Sequence, residues 1–226
     1  MITKREFANI LDMSALHDNA SIDEINYIIE MAIKYHIHAI GCGKCYHPYI
    51  IKKLKEKGVY DEITVVGGGG WPTGHWMTDV KLFAIEKCIS IGDREIDLAT
   101  NIGWIKSGMW DEYREEIRKT RRLTKGYLLK CIIYTPQLTD EEIVKASQIC
   151  LEEGVDFIKT DTGKSALPST LEHVRLIKQV VGEKVAIKVA GGVRTPEQVM
   201  EMMEAGATRF GISYKNAIKL IEQLPD

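Results

Sequence analysis

At 226 residues the chain is long enough for one domain with a sizeable core, and 45% hydrophobic against 27% charged residues is the balance of an ordinary globular protein. A formal net charge of −2 offers no electrostatic case for nucleic acid or an anionic membrane. Met1 to Glu6 lack an apolar signal core and no apolar run reaches the length of a bilayer span, so the expectation is a cytoplasmic protein whose partners are small molecules.

Along the chain, strand and helix patterns alternate. Strands are expected to begin near Phe7, His38, Glu62, Glu95, Tyr127, Asp156, Val185 and Thr208. Between them lie amphipathic stretches such as Ser21 to Tyr35, where Ile22, Ile25, Ile29, Ala32 and Ile33 recur at helical spacing. Ser21 with Glu24, Thr139 with Glu142 and Thr195 with Gln198 read as capping boxes, and Gly58, Gly92, Gly154, Gly182 and Gly206 fall where helices should end. Strands alternating with helices imply right-handed parallel crossovers, and eight such units can close on themselves. The expected architecture is α/β, a single (β/α)8 TIM barrel over residues 1–226 with no linker or second domain, and with its site at the carboxyl ends of the strands.

Several stretches admit more than one reading. Five cysteines, at 42, 45, 88, 131 and 150, form an odd set that suits reduced thiols better than a disulfide framework. Cys42 and Cys45, with His36, His38 and His47 nearby, allow a zinc or redox site, but a structural zinc site usually shows two such pairs, and no metal is expected. The run Gly67 to Gly74 reads as a flexible loop that tolerates positive φ, or as a mobile flap with Trp71 as an apolar lid. The helix from Asp111 to Lys125 interleaves Arg114, Arg118, Lys119, Arg121, Arg122 and Lys125 with Glu112, Glu115 and Glu116, which favours a solvated, salt-bridged face over a polyanion site. Trp104, Met109 and Trp110 read as packing or subunit contacts.

Chemistry concentrates in three later strands. Val155 to Lys164 is a short apolar strand that carries Lys159 near its end and runs into a small polar loop. A lysine among β-branched and aromatic residues is costly unless its charge is paired or removed; burial or a neighbouring cation favours a free, nucleophilic amine. An ordinary ion-paired core lysine is the bland alternative. Val185 to Arg194 repeats the arrangement with Lys188 before a glycine-rich turn. Two strand lysines with one helix between them should stand side by side in a parallel sheet, where a protonated Lys188 would repel a second charge on Lys159. Asp97, in the strand Glu95 to Asn101, adds an acid that could relay protons or hold Lys188 charged, and Lys130 occupies a similar point of its own unit as a supporting charge or a plain ion-paired lysine.

These residues resemble the deoxyribose-phosphate aldolases, class I aldolases that work through a lysine Schiff base. The likeness runs from Leu11 to about Ser213, and its strongest motifs are EIDLATNIGWIKSG, DFIKTDTGK and IKVAGGVRT. The resemblance implies Lys159 as the Schiff-base lysine, Lys188 as the activating lysine and Asp97 as the proton-relay aspartate, with no cofactor. Its donor would be acetaldehyde and its acceptor glyceraldehyde 3-phosphate, joined to 2-deoxyribose 5-phosphate. Barrels of this type often pair, which makes a homodimer or higher homo-oligomer the expected assembly.

The substrate-facing set expected around the three catalytic residues is Asp12, Cys42, Thr162, Gly163, Lys164, Gly191, Gly192, Arg194, Gly211 and Ser213. Loops after the seventh and eighth strands of barrels often present backbone N–H groups to a phosphate, here Gly191-Gly192-Val193 and Gly211-Ile212-Ser213, with Lys164 and Arg194 as nearby cations. Cys42 aligns with a cysteine that the family often carries near its site; it is read as a buried, inert thiol, with aldehyde trapping as the alternative. Three departures from the family pattern stand out. Asp12 is followed by Met13-Ser14-Ala15-Leu16 rather than His-Thr-Leu-Leu, Ser213 is followed by Tyr214 rather than a second serine, and no tail tyrosine follows Pro225-Asp226. They leave open a different carbonyl donor or an unphosphorylated acceptor; a sugar-phosphate-binding barrel without turnover is the alternative from a different class.

Overall fold

A computed structural model describes all of residues 1–226. Eight parallel strands form a closed barrel in chain order: β1 (Leu11–Ala15), β2 (Ala39–Cys42), β3 (Thr64–Gly69), β4 (Glu95–Ala99), β5 (Leu128–Ile132), β6 (Phe157–Lys159), β7 (Ala186–Ala190) and β8 (Arg209–Ser213). Ten α-helices accompany them: α1 (Lys4–Ala8), α2 (Ile22–Tyr35), α3 (His47–Glu56), α4 (Thr78–Ile91), α5 (Ile102–Lys106), α6 (Trp110–Leu123), α7 (Asp140–Glu152), α8 (Leu171–Val181), α9 (Pro196–Glu204) and α10 (Tyr214–Gln223). The barrel closes where β1 pairs with β8, Asp12 standing opposite Gly211. No helix is long and apolar enough to cross a membrane.

Local chemistry explains where these elements start and stop. All three expected capping boxes form, with Ser21, Thr139 and Thr195 each accepting from the backbone N–H three residues on. Two further boxes occur at Thr3 with Glu6 and Thr170 with His173. The first of these corrects the expectation of a strand near Phe7: capped by Thr3, Phe7 lies in α1 and packs its ring against Phe210, and the strand begins four residues later at Leu11.

The glycine run is also not the flexible loop expected. Gly67, Gly68 and Gly69 belong to β3 and are buried. A Cβ on Gly68 would lie 2.0 Å from the carbonyl oxygen of Asp97, and one on Gly69 would lie 2.7 Å from that of Lys81. The glycines let β3 approach β4 and α4 more closely than a side chain permits. Trp71 follows at the cavity wall.

The basic helix α6 pairs Arg118 with Glu115 along itself at 3.3 Å, and it also directs charges to neighbouring elements. Arg114 and Arg118 both reach Glu153, at 3.1 and 2.8 Å, and Arg121 reaches Asp156 at 2.7 Å. Glu116 is not on the solvated face expected; it is fully buried and ion-paired with buried Lys81 at 2.8 Å. Trp104 and Trp110 pack against the core, Trp110 edge-on to Tyr113, whereas Met109 is exposed.

Candidate active site

The barrel register brings the charged residues together. Asp97 of β4 stands opposite Lys130 of β5, Ile132 of β5 opposite Lys159 of β6, and Lys159 opposite Lys188 of β7. The two lysines that sequence reasoning placed on neighbouring strands therefore sit at one level of the wall. Lys159 Nζ donates to Asp97 Oδ2 at 2.7 Å, and Lys188 Nζ reaches the same oxygen at 3.4 Å while donating to Asp12. Lys130 Nζ approaches the other Asp97 oxygen at 3.1 Å and Glu95 at 2.5 Å. Arg209, at the start of β8, pairs with Asp12 at 3.2 Å and Glu95 at 3.6 Å.

Four cations thus meet three carboxylates in a water-poor barrel core: Lys130, Lys159, Lys188 and Arg209 against Asp12, Glu95 and Asp97. Lys130 is fully buried, and the Lys159 and Lys188 side chains are 7% and 2% exposed. Burial alone would raise the carboxyl of Asp97, but the charges of Lys130, Lys159 and Lys188 outweigh it and hold Asp97 well below the usual range. The same balance, led by burial and overturned by Lys188, Lys130 and Arg209, keeps Asp12 ionised. Burial pushes Lys188 down to about 8, against the pull of Asp12 and Asp97 and with the help of the Lys159 and Lys130 charges. Lys130 moves the other way: burial would lower it, yet Asp97, Asp12 and Glu95 together raise it. Near 8, Lys188 stays mostly charged at neutral pH yet can give up a proton there, which suits a proton carrier beside Lys159 rather than the nucleophile itself.

Above this cluster opens a cavity of about 380 Å³. All thirteen residues named from sequence line it: Asp97, Lys159 and Lys188 with Asp12, Cys42, Thr162, Gly163, Lys164, Gly191, Gly192, Arg194, Gly211 and Ser213. Their roles differ once positioned. Asp12 sits at the floor, committed to Lys188 and Arg209. Cys42 is buried, and that burial together with Asp93 pushes its thiol up to about 12, so it is no ready nucleophile. The histidines near it do not converge on a cysteine pair: His38 bonds Glu95 at 2.7 Å, and His47 bonds Asp93 at 2.7 Å and the Cys42 carbonyl at 3.3 Å.

The loop after β6 is shaped by Asp161, whose carboxylate accepts from the Gly163 amide at 2.7 Å and the Ser165 hydroxyl at 2.6 Å. Gly163 adopts a φ of +80° to close that turn, so its amide is spent on Asp161. Gly191 and Gly192, at φ +87° and +96°, turn the chain after β7; a Cβ on Gly192 would meet Pro168 at 2.5 Å. Ser213 ends β8 at the N-terminus of α10, whose first residues Tyr214, Lys215 and Asn216 face the cavity. There the unpaired amides of the first turn point outward from the helix end.

Sequence reasoning missed several lining groups. Lys44, Lys215 and Asn216 border the same mouth as Lys164 and Arg194, and their adjacency to Cys42 and Ser213 was the available signal. Glu24 of α2 was invisible as a partner: it accepts from the Tyr214 hydroxyl at 2.6 Å and contacts His17 at 3.1 Å. The Tyr214 hydroxyl is thereby turned onto α2 and does not replace a serine donor.

A family model described as DeoC/LacD family aldolase matches residues 16–218. Among curated relatives, a deoxyribose-phosphate aldolase of Mannheimia succiniciproducens is 39% identical over 98% of this chain and 96% of its own length. One of Thermococcus kodakarensis is 36% identical over the whole of both chains. Among solved structures, one described as QR15, an aldolase, superposes with a TM-score of 0.88 at 33% identity, covering 99% of this chain and 96% of the other.

Proposed function

The chain belongs to the DeoC/LacD family of aldolases, and on that footing we propose that it is an aldehyde-lyase cleaving 2-deoxy-D-ribose 5-phosphate, reversibly, to acetaldehyde and D-glyceraldehyde 3-phosphate. Lys159 is the Schiff-base nucleophile. The observation that carries this reading is the shared oxygen: Lys159 and Lys188 both reach Asp97 Oδ2, so two amines and one carboxylate can exchange protons around a single reacting carbon.

In the synthetic direction the free amine of Lys159 adds to the aldehyde carbonyl of acetaldehyde, and loss of water leaves a protonated imine. Asp97 and Lys188, with a bound water, take a proton from the adjacent methyl group, giving an enamine whose carbon attacks the acceptor aldehyde. The new alkoxide is protonated, and water hydrolyses the imine to free product and lysine. Cleavage runs the same steps in reverse. Proton transfer at the enamine carbon is assigned to Asp97 and Lys188, the groups gathered around Lys159, and to water.

The phosphate end of the acceptor fits the mouth of the cavity, where Lys164, Arg194, Lys44 and Lys215 surround the turn at Gly191-Gly192 and the first turn of α10. Tyr214, hydrogen-bonded to Glu24 at the position where the family resemblance implies a second serine, favours a second reading in which the acceptor is unphosphorylated or the donor differs. Five free cysteines support a reducing compartment, the cytoplasm, and a homo-oligomer remains the assembly proposed.

The experiment is intact-mass spectrometry after incubation with acetaldehyde, other small carbonyl donors or deoxyribose 5-phosphate in the presence of borohydride, followed by peptide mapping. A reduced adduct on Lys159 with acetaldehyde, lost in Lys159→Met, is the expected result. An adduct formed only with another donor would change the substrate. Saturable binding of deoxyribose 5-phosphate with no adduct would leave a sugar-phosphate-binding barrel without turnover.

A further inference from the structure

Below the cavity floor, Glu95, Lys130, Arg209 and His38 form a charged layer that no substrate can touch, because none of the four lines the cavity. The layer is nonetheless continuous with the reacting groups. Its links run from His38 Nε2 to Glu95 Oε1 at 2.7 Å, from Glu95 Oε2 to Lys130 Nζ at 2.5 Å, and from Lys130 Nζ to Asp97 Oδ1 at 3.1 Å. Asp97 in turn holds Lys159 and Lys188 through its other oxygen. On the opposite wall Arg209 pairs with both Glu95 and Asp12, and Asp12 holds Lys188.

We infer that Glu95 and Arg209 are positioning residues that set the protonation balance of the Lys159 and Lys188 pair, acting through Lys130, Asp97 and Asp12. The inference rests on the aldolase reading above. The groups facing Glu95 are Lys130 from β5, Arg209 from β8, Asp12 from β1 and His38 from the residue before β2; those facing Asp97 are Lys130, Lys159 and Lys188. The layer contributes one carboxylate and two fixed cations. Removing the carboxylate leaves Lys130 leaning on Asp97 and Asp12, and it increases the excess positive charge around the reacting lysines. Their amine form then becomes easier to reach. Removing the Arg209 guanidinium does the reverse, because Asp12 loses a competitor for its charge and holds the Lys188 ammonium more firmly.

The test measures kcat/KM and borohydride trapping of the acetaldehyde adduct across pH for the parent, Glu95→Gln and Arg209→Gln. The expected result is that the ascending limb moves to lower pH in Glu95→Gln and to higher pH in Arg209→Gln, each by roughly half a pH unit or more, with KM little changed. Arg209→Lys, which keeps the charge, should restore the parental limb. A purely structural role cannot give shifts of opposite sign. Limbs that coincide with the parent's, or that move in the same direction, overturn the inference while leaving the aldolase reading intact. Should Glu95→Gln fail to fold, the Arg209→Gln and Arg209→Lys pair decides alone. Absence of any adduct or turnover in the parent would overturn the aldolase reading on which the inference stands.

Discussion

Replacing Lys188 by methionine removes one charge from a site in which two amines share one carboxylate oxygen. The bonds to Asp97 Oδ2, 2.7 Å from Lys159 and 3.4 Å from Lys188, hold the two nitrogens no more than about 6 Å apart. Two unit charges at that distance interact by about 3 kcal/mol at an effective dielectric of about 20, or roughly two pH units. Asp12, released from Lys188, keeps Lys130 and Arg209 as partners, so part of that energy returns as rearranged pairing. The working expectation is therefore a shift of about one to two pH units. In Lys188→Met the ascending limb of kcat/KM moves to higher pH by that amount, and activity near neutral pH falls about 10- to 100-fold through this effect alone. Any loss of Lys188 as a proton carrier would lower the plateau without moving the limb, so the two contributions separate. The assay is kcat/KM for deoxyribose 5-phosphate cleavage from pH 5.5 to 10, paired with borohydride trapping at each pH. A limb that stays in place or moves to lower pH would refute the electrostatic argument.

Acid should unfold the protein through its barrel core. Glu95, Asp97 and Asp12 have folded carboxyls below their ordinary values, so their contribution to stability is fully present above about pH 4.5 and is lost as pH falls through the folded values. Glu95 alone, taken from its usual 4.5 to about 2, accounts for on the order of 3 kcal/mol; calorimetry should show Tm falling steadily below pH 4.5, and a flat Tm down to pH 2.5 would contradict the pairing. The buried Lys81 and Glu116 pair predicts that Lys81→Met costs about 3–5 kcal/mol, on the order of 10 °C in Tm, because Glu116 is left buried without its counter-ion, with the Thr78 hydroxyl as a remaining neutral partner. The double variant Lys81→Met/Glu116→Leu should recover most of that loss, and equal losses in single and double variants would contradict it. Gly68→Ala should prevent folding, since its Cβ would meet the Asp97 carbonyl at 2.0 Å; Gly163→Ala, at φ +80° with open space around it, should cost only about 1 kcal/mol in urea unfolding. Comparable costs at the two positions would show that conformation rather than close packing decides both.

The barrel was legible because its signals are local. Apolar strands, capping boxes at Ser21, Thr139 and Thr195, and glycines past helix ends each depend on neighbours within a few residues. The one misplaced strand start fell where a short capped helix, Lys4–Ala8, presents the same apolar residues that a strand would. The glycine run misled for a different reason: glycine encodes both flexibility and close approach, and only the carbonyls of Asp97 and Lys81 distinguish them.

By itself the sequence determined the eight-unit alternation, the strands that carry Lys159, Lys188 and Asp97, and the loops that ring the cavity. Each follows from residue type and spacing along the chain. Which charges share an oxygen was decided only by barrel closure and register, which bring Asp12 of β1, Asp97 of β4 and Arg209 of β8 into one network from distant parts of the chain. The Tyr214 contact with Glu24 spans 190 residues, and the Lys188 contact with Asp12 spans 176. Pairing across such separations leaves no periodic trace in the sequence, because an ion pair is set by three-dimensional distance and by the burial that makes an unpaired charge costly.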